Sequence, residues 1–499
     1  MIEKNNITNE PFVRVQFVDN TEKTLSLRDT ILESHRISEI VSDSVTEAAA
    51  IRRFLLALFI RVYADYLKHE DWWLDVYQTC VLPTEPLEKY LQQWEDRFDL
   101  FHPTHPFFQH PSPESDKPQS LNVLRLENAS GNNAVLFSHS NEEDSFMMTN
   151  AEAARALITA QAYAVGGGVS KPFNFSHGVL VSGGLVFWVG GNTLLQSLLL
   201  NSRPKLLRRL DRDSFIGTPS WEHEPVRALQ YPANGILHLF TFLSRRFRLV
   251  RHDENTVKAV ILSQGDKNIS PLNDPMMAYI TNNKGETTVL NLNRERALWR
   301  SYYALYAEQT TSSQKPATLQ YAIRAVPEGQ RIELEVFGLQ TDKGKIEHSR
   351  MEKLVYYPSI AGDNNKVSAL QKMILDSDTV SSALSKALWL FAQIFLYPET
   401  KNLSDTQRAE ITAFKQSIDC SAQYWANAGT RINSLIARLS RLDDADERGD
   451  LIAEWRIFLK STAIELLERQ LESISGNASV VYRAFAAAQR FFQIESSKF

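Results

Sequence analysis

Two cysteines, Cys80 and Cys420, are all the thiol that the 499 residues carry. Two distant thiols build neither a disulfide framework nor a cysteine-based zinc site, and so little cysteine fits a reducing, cytoplasmic setting. The stretch MIEKNNITNEPF has no apolar h-region, so no signal peptide is expected. No excess of basic charge is present either, the net charge being −5. The longest apolar run, GVLVSGGLVFWVGGNTLLQSLLL, is interrupted by five glycines and by Ser182, Asn192, Thr193, Gln196 and Ser197. That pattern reads as a buried strand, turn and helix and excludes a membrane span. No HExxH, GxSxG, Walker A or HNH-like pattern occurs, and no constellation of residues reads as an active site. No internal repeat is evident.

What is present is ample core. Apolar residues make up 43% and aromatics 10%, too many for a disordered chain and enough for two or three domains. Val13–Phe17 and Thr24–Leu27 read as strands around a DNTEK turn, and Val45 to Lys68 as a long helix buried over most of its circumference. Leu87 to Phe98 reads as a further helix, and PSPESDKPQS as a loop. RIELEVFGLQTDKGKIEHSRMEKLVYY is a hairpin pattern, two β-type runs around a polar TDKG turn. After YYPSIAGDNNK nearly everything is helical. Ser404 and Gln407 form a capping-box signature, and Ile411, Phe414, Ile418 and Trp425 follow at helical spacing. Leu451, Trp455, Phe458, Leu459 and Leu466 keep the same spacing, as do Val481, Phe485, Ala488 and Phe492. Apolar stripes of this kind bury against one another. The expected class is therefore α+β: a mixed α/β domain over residues 1–362, then an antiparallel four-helix bundle over 363–499.

Three features carry chemistry. A helical run, AEAARALITAQAYAV, ends on Gly166, Gly167 and Gly168, with Lys171 just beyond. Bare backbone of this kind can approach a phosphate or a nucleic-acid groove closely, and it equally fits a flexible hinge; the GK[ST] ending of a P-loop is missing. Between Asn201 and His252 there are ten Lys and Arg against four Asp and Glu, which suits a local nucleic-acid contact on an acidic protein as well as a solvated helix face with paired charges. HPTHPFFQH offers His102, His105 and His110. The prolines after the first two disfavour a helix there, so packed or capping histidines in a rigid turn are expected in preference to metal ligands.

Several segments occur in one order: PFVRVQF…LSLRD, WEDRFDLFHPTHPFFQ, VLFSHS, ITAQAYAVGGG, VGGNTLLQSLLL, and TPSWE followed by YPANGILHLF. Together they resemble the large subunit of the type I-E CRISPR Cascade complex, the CasA family, over nearly the whole chain. The resemblance implies a non-catalytic subunit near the 5′ end of the guide RNA. Such a subunit reads the protospacer-adjacent motif on double-stranded target DNA and helps open the duplex for R-loop formation. It contacts the other Cascade subunits and provides a docking surface for the helicase–nuclease. In this division of labour protein reads the short motif and base pairing reads the rest.

The resemblance also implies site residues. The family's minor-groove glycine loop matches Gly166, Gly167 and Gly168, and its lysine finger falls on Lys267 in SQGDKN. Its wedge hairpin matches FGLQTDKGK. The tip position holds Lys343 where the family has glutamine, while Gln340 lies three residues earlier, so both are candidates. A loop toward guide RNA and DNA matches LFSHSNEED, with Phe137, Ser138 and His139. Phe137 in such a loop can stack on a base and the polar pair contact backbone; Leu136 and Phe137 also fit a strand end in the core. Some family members bind zinc through cysteines that this chain lacks, so neither metal nor cofactor is expected. Minor-groove reading discriminates base pairs poorly, which implies tolerance for several related motifs. Two other readings stay open from the residues alone: a metal-dependent nuclease using the histidine turn, and a purely structural subunit.

Overall fold

The structure, a computed structural model, describes residues 5–113, 115–125, 146–163, 169–170, 173–174, 180, 184–212, 215–225, 230–263, 265–281, 284–293, 296–306, 313–324, 331–342, 345–400 and 402–497. Two compact units emerge. One comprises residues 1–294 and 309–356, the other residues 295–308 and 357–499. The helical unit thus begins at Tyr357 and also recruits a short piece from mid-chain.

The first unit opens with strands β1 (Val13–Phe17), β2 (Glu22–Leu25) and β3 (Ile37–Ile40), paired in the order β2-β1-β3. Helix α1 (Val45–Leu67) follows, its start fixed by the Ser44 hydroxyl accepting the Glu47 N–H. Nearly all of α1 from Ala48 to Ile60 is buried, including Arg52 and Arg53, which makes it the spine of this unit. Two buried cations on a core helix need partners. Arg52 reaches Glu335 at 3.0 Å and Arg53 reaches Asp274 at 2.8 Å. Then come α2 (Glu70–Thr79), α3 (Asn150–Tyr163), β4 (Val186–Gly190), α4 (Leu194–Asn201) and α5 (Pro204–Arg212). From Val186 onward the long apolar run is accordingly strand β4, a turn, and helix α4 with Thr193 as its N-cap.

Strands β5 (Gln230–Tyr231), β6 (Arg246–Arg251), β7 (Thr256–Ser263) and β8 (Lys267–Asn268) precede a hairpin of β9 (Ile332–Asp342) and β10 (Lys345–Tyr356). β6 and β7 pair antiparallel, β8 and β5 pair parallel, and the hairpin joins β4 in the order β10-β9-β4. A register shift between Gln340 and Thr341 marks a bulge three residues short of the expected tip.

The second unit holds α6 (Asn364–Leu396), α7 (Asp405–Ser417), α8 (Ser421–Leu439), α9 (Ala445–Glu472) and α10 (Ala478–Ser496). The Ser404–Gln407 capping box is present. The continuous helix expected through Trp425 breaks at Ile418–Cys420, where Asp419 accepts from the Ser421 hydroxyl at 2.7 Å. Five helices therefore stand, among the described residues of this C-terminal region from Asn364 onward, where the spacing had indicated four. By length and composition α6 is apolar enough to cross a membrane. It buries Leu370, Val380, Leu384, Leu388 and Phe391, and its Asp376 pairs with Arg456 at 2.7 Å. Trp455 on α9 donates to the Met373 carbonyl at 2.9 Å, locking α9 to α6.

Candidate nucleic-acid interface

Of the residues expected at the interface, Lys267 and Gln340 lie in described structure; Gly166, Gly167, Gly168, Phe137, Ser138, His139 and Lys343 lie outside it.

Lys267 sits on β8 opposite Gln230 of β5 and is exposed. The residues on either side of it are fastened. The carboxylate of Asp266, 5% exposed, accepts two N–H groups of Arg246 at 2.9 and 3.1 Å, and the Tyr231 hydroxyl at 3.1 Å. Burial, with Asp266 beside it, pushes the Tyr231 phenol well above its ordinary range, so it stays a donor. Asn268 turns its side-chain oxygen back to accept the Ala233 and Ser270 N–H groups, both at 3.0 Å. Side chains alternate along a strand, so anchoring Asp266 and Asn268 inward sends Lys267 outward. Gly265 completes the device. A β-carbon there would stand 1.5 Å from the Ser244 carbonyl oxygen, so only glycine permits this approach of β8 to the chain before β6. The Lys267 side chain has no ion-pair or hydrogen-bond partner among the described residues. A free ammonium on a rigid base is a point charge available to an acceptor-rich surface.

Gln340 lies near the far end of β9, half-exposed, opposite His348. Its amide reaches the Glu347 carboxylate at 3.4 Å. The hairpin is tied down at its other end: Glu335 pairs with buried Arg52, and Lys353 bridges Glu39 at 3.2 Å and Glu335 at 3.6 Å. The hairpin is thus clamped at its base and bulged at Gln340–Thr341.

The basic run does not form one surface, which corrects the sequence expectation. Arg203, Arg245 and Arg246 are 4%, 5% and 4% exposed. Arg203 stacks on Trp73 at 3.7 Å and pairs with Glu70, while Arg251 lies over Phe101 at 4.0 Å. Among the described residues of the run it is the α5 half that faces outward, with Lys205, Arg208, Arg209 and Arg212 exposed. In the helical unit, Arg431 and Arg438 share Glu454 at 2.8 and 2.7 Å.

The histidine turn is knitted from within. His102 Nδ1 accepts the His105 N–H at 3.0 Å, and the Thr104 hydroxyl bonds His105 Nδ1 at 3.0 Å. His105 Nε2 meets Glu224 at 2.9 Å. Glu224, hydrogen-bonded first by Arg97 and then by His105, is pulled down to about 2. Among the described residues no group of three His, Cys, Asp or Glu side chains is placed to hold a metal ion. The anchors that sequence reasoning missed are Asp266, Asn268 and Arg246. Nothing in GDKN distinguishes a buried aspartate from a turn aspartate, because the signal resides in Arg246 and Tyr231, on other strands.

A family model described as CRISPR-associated protein Cse1 matches residues 6–466. The curated CRISPR-associated protein CasA/Cse1 of Thermus thermophilus is 31% identical over 379 residues, 72% of this chain and 72% of its own length. Among solved structures, Thermus thermophilus CasA (Cse1) matches with a TM-score of 0.82 at 24% identity, covering 100% of both chains. A chain of a CRISPR RNA-guided surveillance complex matches with a TM-score of 0.74 at 19% identity, covering 98% of this chain and 99% of that one.

Proposed function

The chain belongs to the CRISPR-associated Cse1 (CasA) family, and on that premise we infer that it is the large subunit of an RNA-guided surveillance complex that reads the protospacer-adjacent motif on duplex DNA. Its role is recognition without catalysis. Lys267 enters the minor groove, where base pairs of either orientation present acceptors, alongside the glycine backbone at Gly166–Gly168. The hairpin end at Gln340 and Lys343 then separates the first base pairs, so that guide RNA pairs with the target strand. Opening costs a few kcal/mol per unstacked step, which guide pairing and contacts with the other subunits offset. The loop at Phe137, Ser138 and His139 contacts guide RNA or displaced DNA, and the assembled R-loop recruits the helicase–nuclease.

One observation carries this reading: an exposed lysine whose side chain has no partner among the described residues, held between two residues whose side chains are anchored inward. A lysine kept only for solubility needs no such fixture. The test is titration of the guide-loaded complex, with and without this chain, against duplexes bearing a permissive or a scrambled adjacent motif. Discrimination that appears only with the chain, and falls when Lys267 or Gly167 is replaced, supports the reading. Discrimination unchanged by the chain sinks it.

A further inference from the structure

The outward half of the basic run is not used by the motif site. At 100° per residue, Lys205, Arg208, Arg209 and Arg212 of α5 fall within one arc of about 100° and span about 10 Å of helix axis. All four are exposed, while Leu206 and Leu207 are buried on the opposite side. The helix's single carboxylate, Asp211, lies beyond the edge of that arc and pairs with Lys68 at 3.1 Å. Glu70, the nearest acid of α2, is taken by buried Arg203, with Arg208 as a second partner at 3.6 Å. The side chains of Lys205 and Arg209 have no ion-pair or hydrogen-bond partner among the described residues.

Like charges held along one helix face repel each other, and a partner that relieves them must offer negative charge at close intervals. Duplex DNA presents one phosphate per about 1.7 Å of its axis, so a 10 Å stripe meets several. Guanidinium groups bind phosphate oxygens in pairs. A protein partner fits less well, because protein interfaces are built around an apolar core and this arc contains no apolar side chain.

We propose that the exposed face of α5 is a second, sequence-independent contact with duplex DNA, in which Lys205, Arg208, Arg209 and Arg212 take backbone phosphates. It rests on the function inferred above only in taking DNA as the partner. Phosphate contacts position a duplex and do not specify its sequence, so α5 adds affinity that is the same for every adjacent motif.

The experiment uses the guide-loaded complex containing the full chain, as wild type and as the Lys205→Ala/Arg209→Ala double variant. Permissive and scrambled duplexes are titrated from about 50 to about 200 mM salt. Affinity for both duplexes is expected to fall by the same factor, on the order of ten-fold at low salt. The plot of log affinity against log salt should become shallower by about 2. A Lys205→Arg/Arg209→Lys variant keeps the charge and should restore both. Unchanged affinity and slope overturn the proposal, as does a loss confined to the permissive duplex. So does failure of the double variant to enter the complex, which assigns the face to an acidic protein neighbour. A Lys267→Ala arm separates the two readings. Loss of discrimination there with no α5 effect rejects only the α5 contact, and an α5 effect with discrimination intact at Lys267→Ala rejects only the motif-reading role.

Discussion

Arg246 closes on Asp266 at 2.9 Å, both side chains almost wholly buried, one residue before the exposed Lys267. This pair fixes where the lysine leaves the surface. Replacing Asp266 by Asn removes the countercharge of a buried guanidinium, which typically costs about 3–5 kcal/mol. Urea denaturation of the Asp266→Asn protein should show a loss in that range. A loss below about 1 kcal/mol would mean that other groups neutralise Arg246 and that the pair is not the anchor of β8.

Lys267→Ala should behave in the opposite way. An exposed side chain with no partner among the described residues contributes within about 0.5 kcal/mol of stability, so the unfolding midpoint should not move. Discrimination between permissive and scrambled duplexes should nonetheless fall. If Lys267→Ala destabilises the fold as much as Asp266→Asn does, the lysine is structural and the interface reading loses its main support.

At the hairpin, Gln340 pairs opposite His348 beside the bulge at Gln340–Thr341, whereas Lys343, outside the described residues, comes in sequence after the last residue of β9. A wedge acts from its end. Lys343→Ala should therefore reduce duplex opening more than Gln340→Ala does, each measured by fluorescence of 2-aminopurine placed beside the adjacent motif. The reverse order would place the working residue at the bulge, with Gln340 resembling the family's glutamine in role as well as type.

How much of this was legible beforehand follows from the range of each signal. α1 was legible from Val45 onward because a long apolar run is a local fact. The β9–β10 hairpin was legible because alternation around a polar turn is local too. The break at Ile418–Cys420 was not, since Ile418 and Trp425 keep helical spacing across it and only Asp419's hydrogen bond to Ser421 reveals the turn. Nor was the division of the basic run. Arg246 and Arg209 look alike in sequence, and what separates them is Asp266, twenty residues downstream of Arg246, and the inward facing of β6. Lys267 was placed by resemblance, and the fixture of Asp266, Asn268 and Gly265 around it came only from tertiary contacts.

His238 supplies a pH test of the same region. It is 4% exposed, its ring meets that of His223 at 4.3 Å, and Tyr231 and Phe242 pack nearby. Its Nδ1 accepts the Asn234 N–H at 3.2 Å, which needs the neutral ring. Burial first, and then His223, lowers its pKa from the ordinary 6.5 to about 3. Between those two values the unfolded chain binds a proton that the folded chain refuses, so stability rises with pH across this window and is complete above 6.5. At pH 5 the deficit from this one group is about 2 kcal/mol. Urea midpoints measured from pH 4 to pH 7 should fall toward acid, and the His238→Gln protein should show a flatter profile over the same range. An equally steep profile in that variant would place the acid sensitivity elsewhere, with burial of His223, whose pKa is also lowered by desolvation, as the next group to replace.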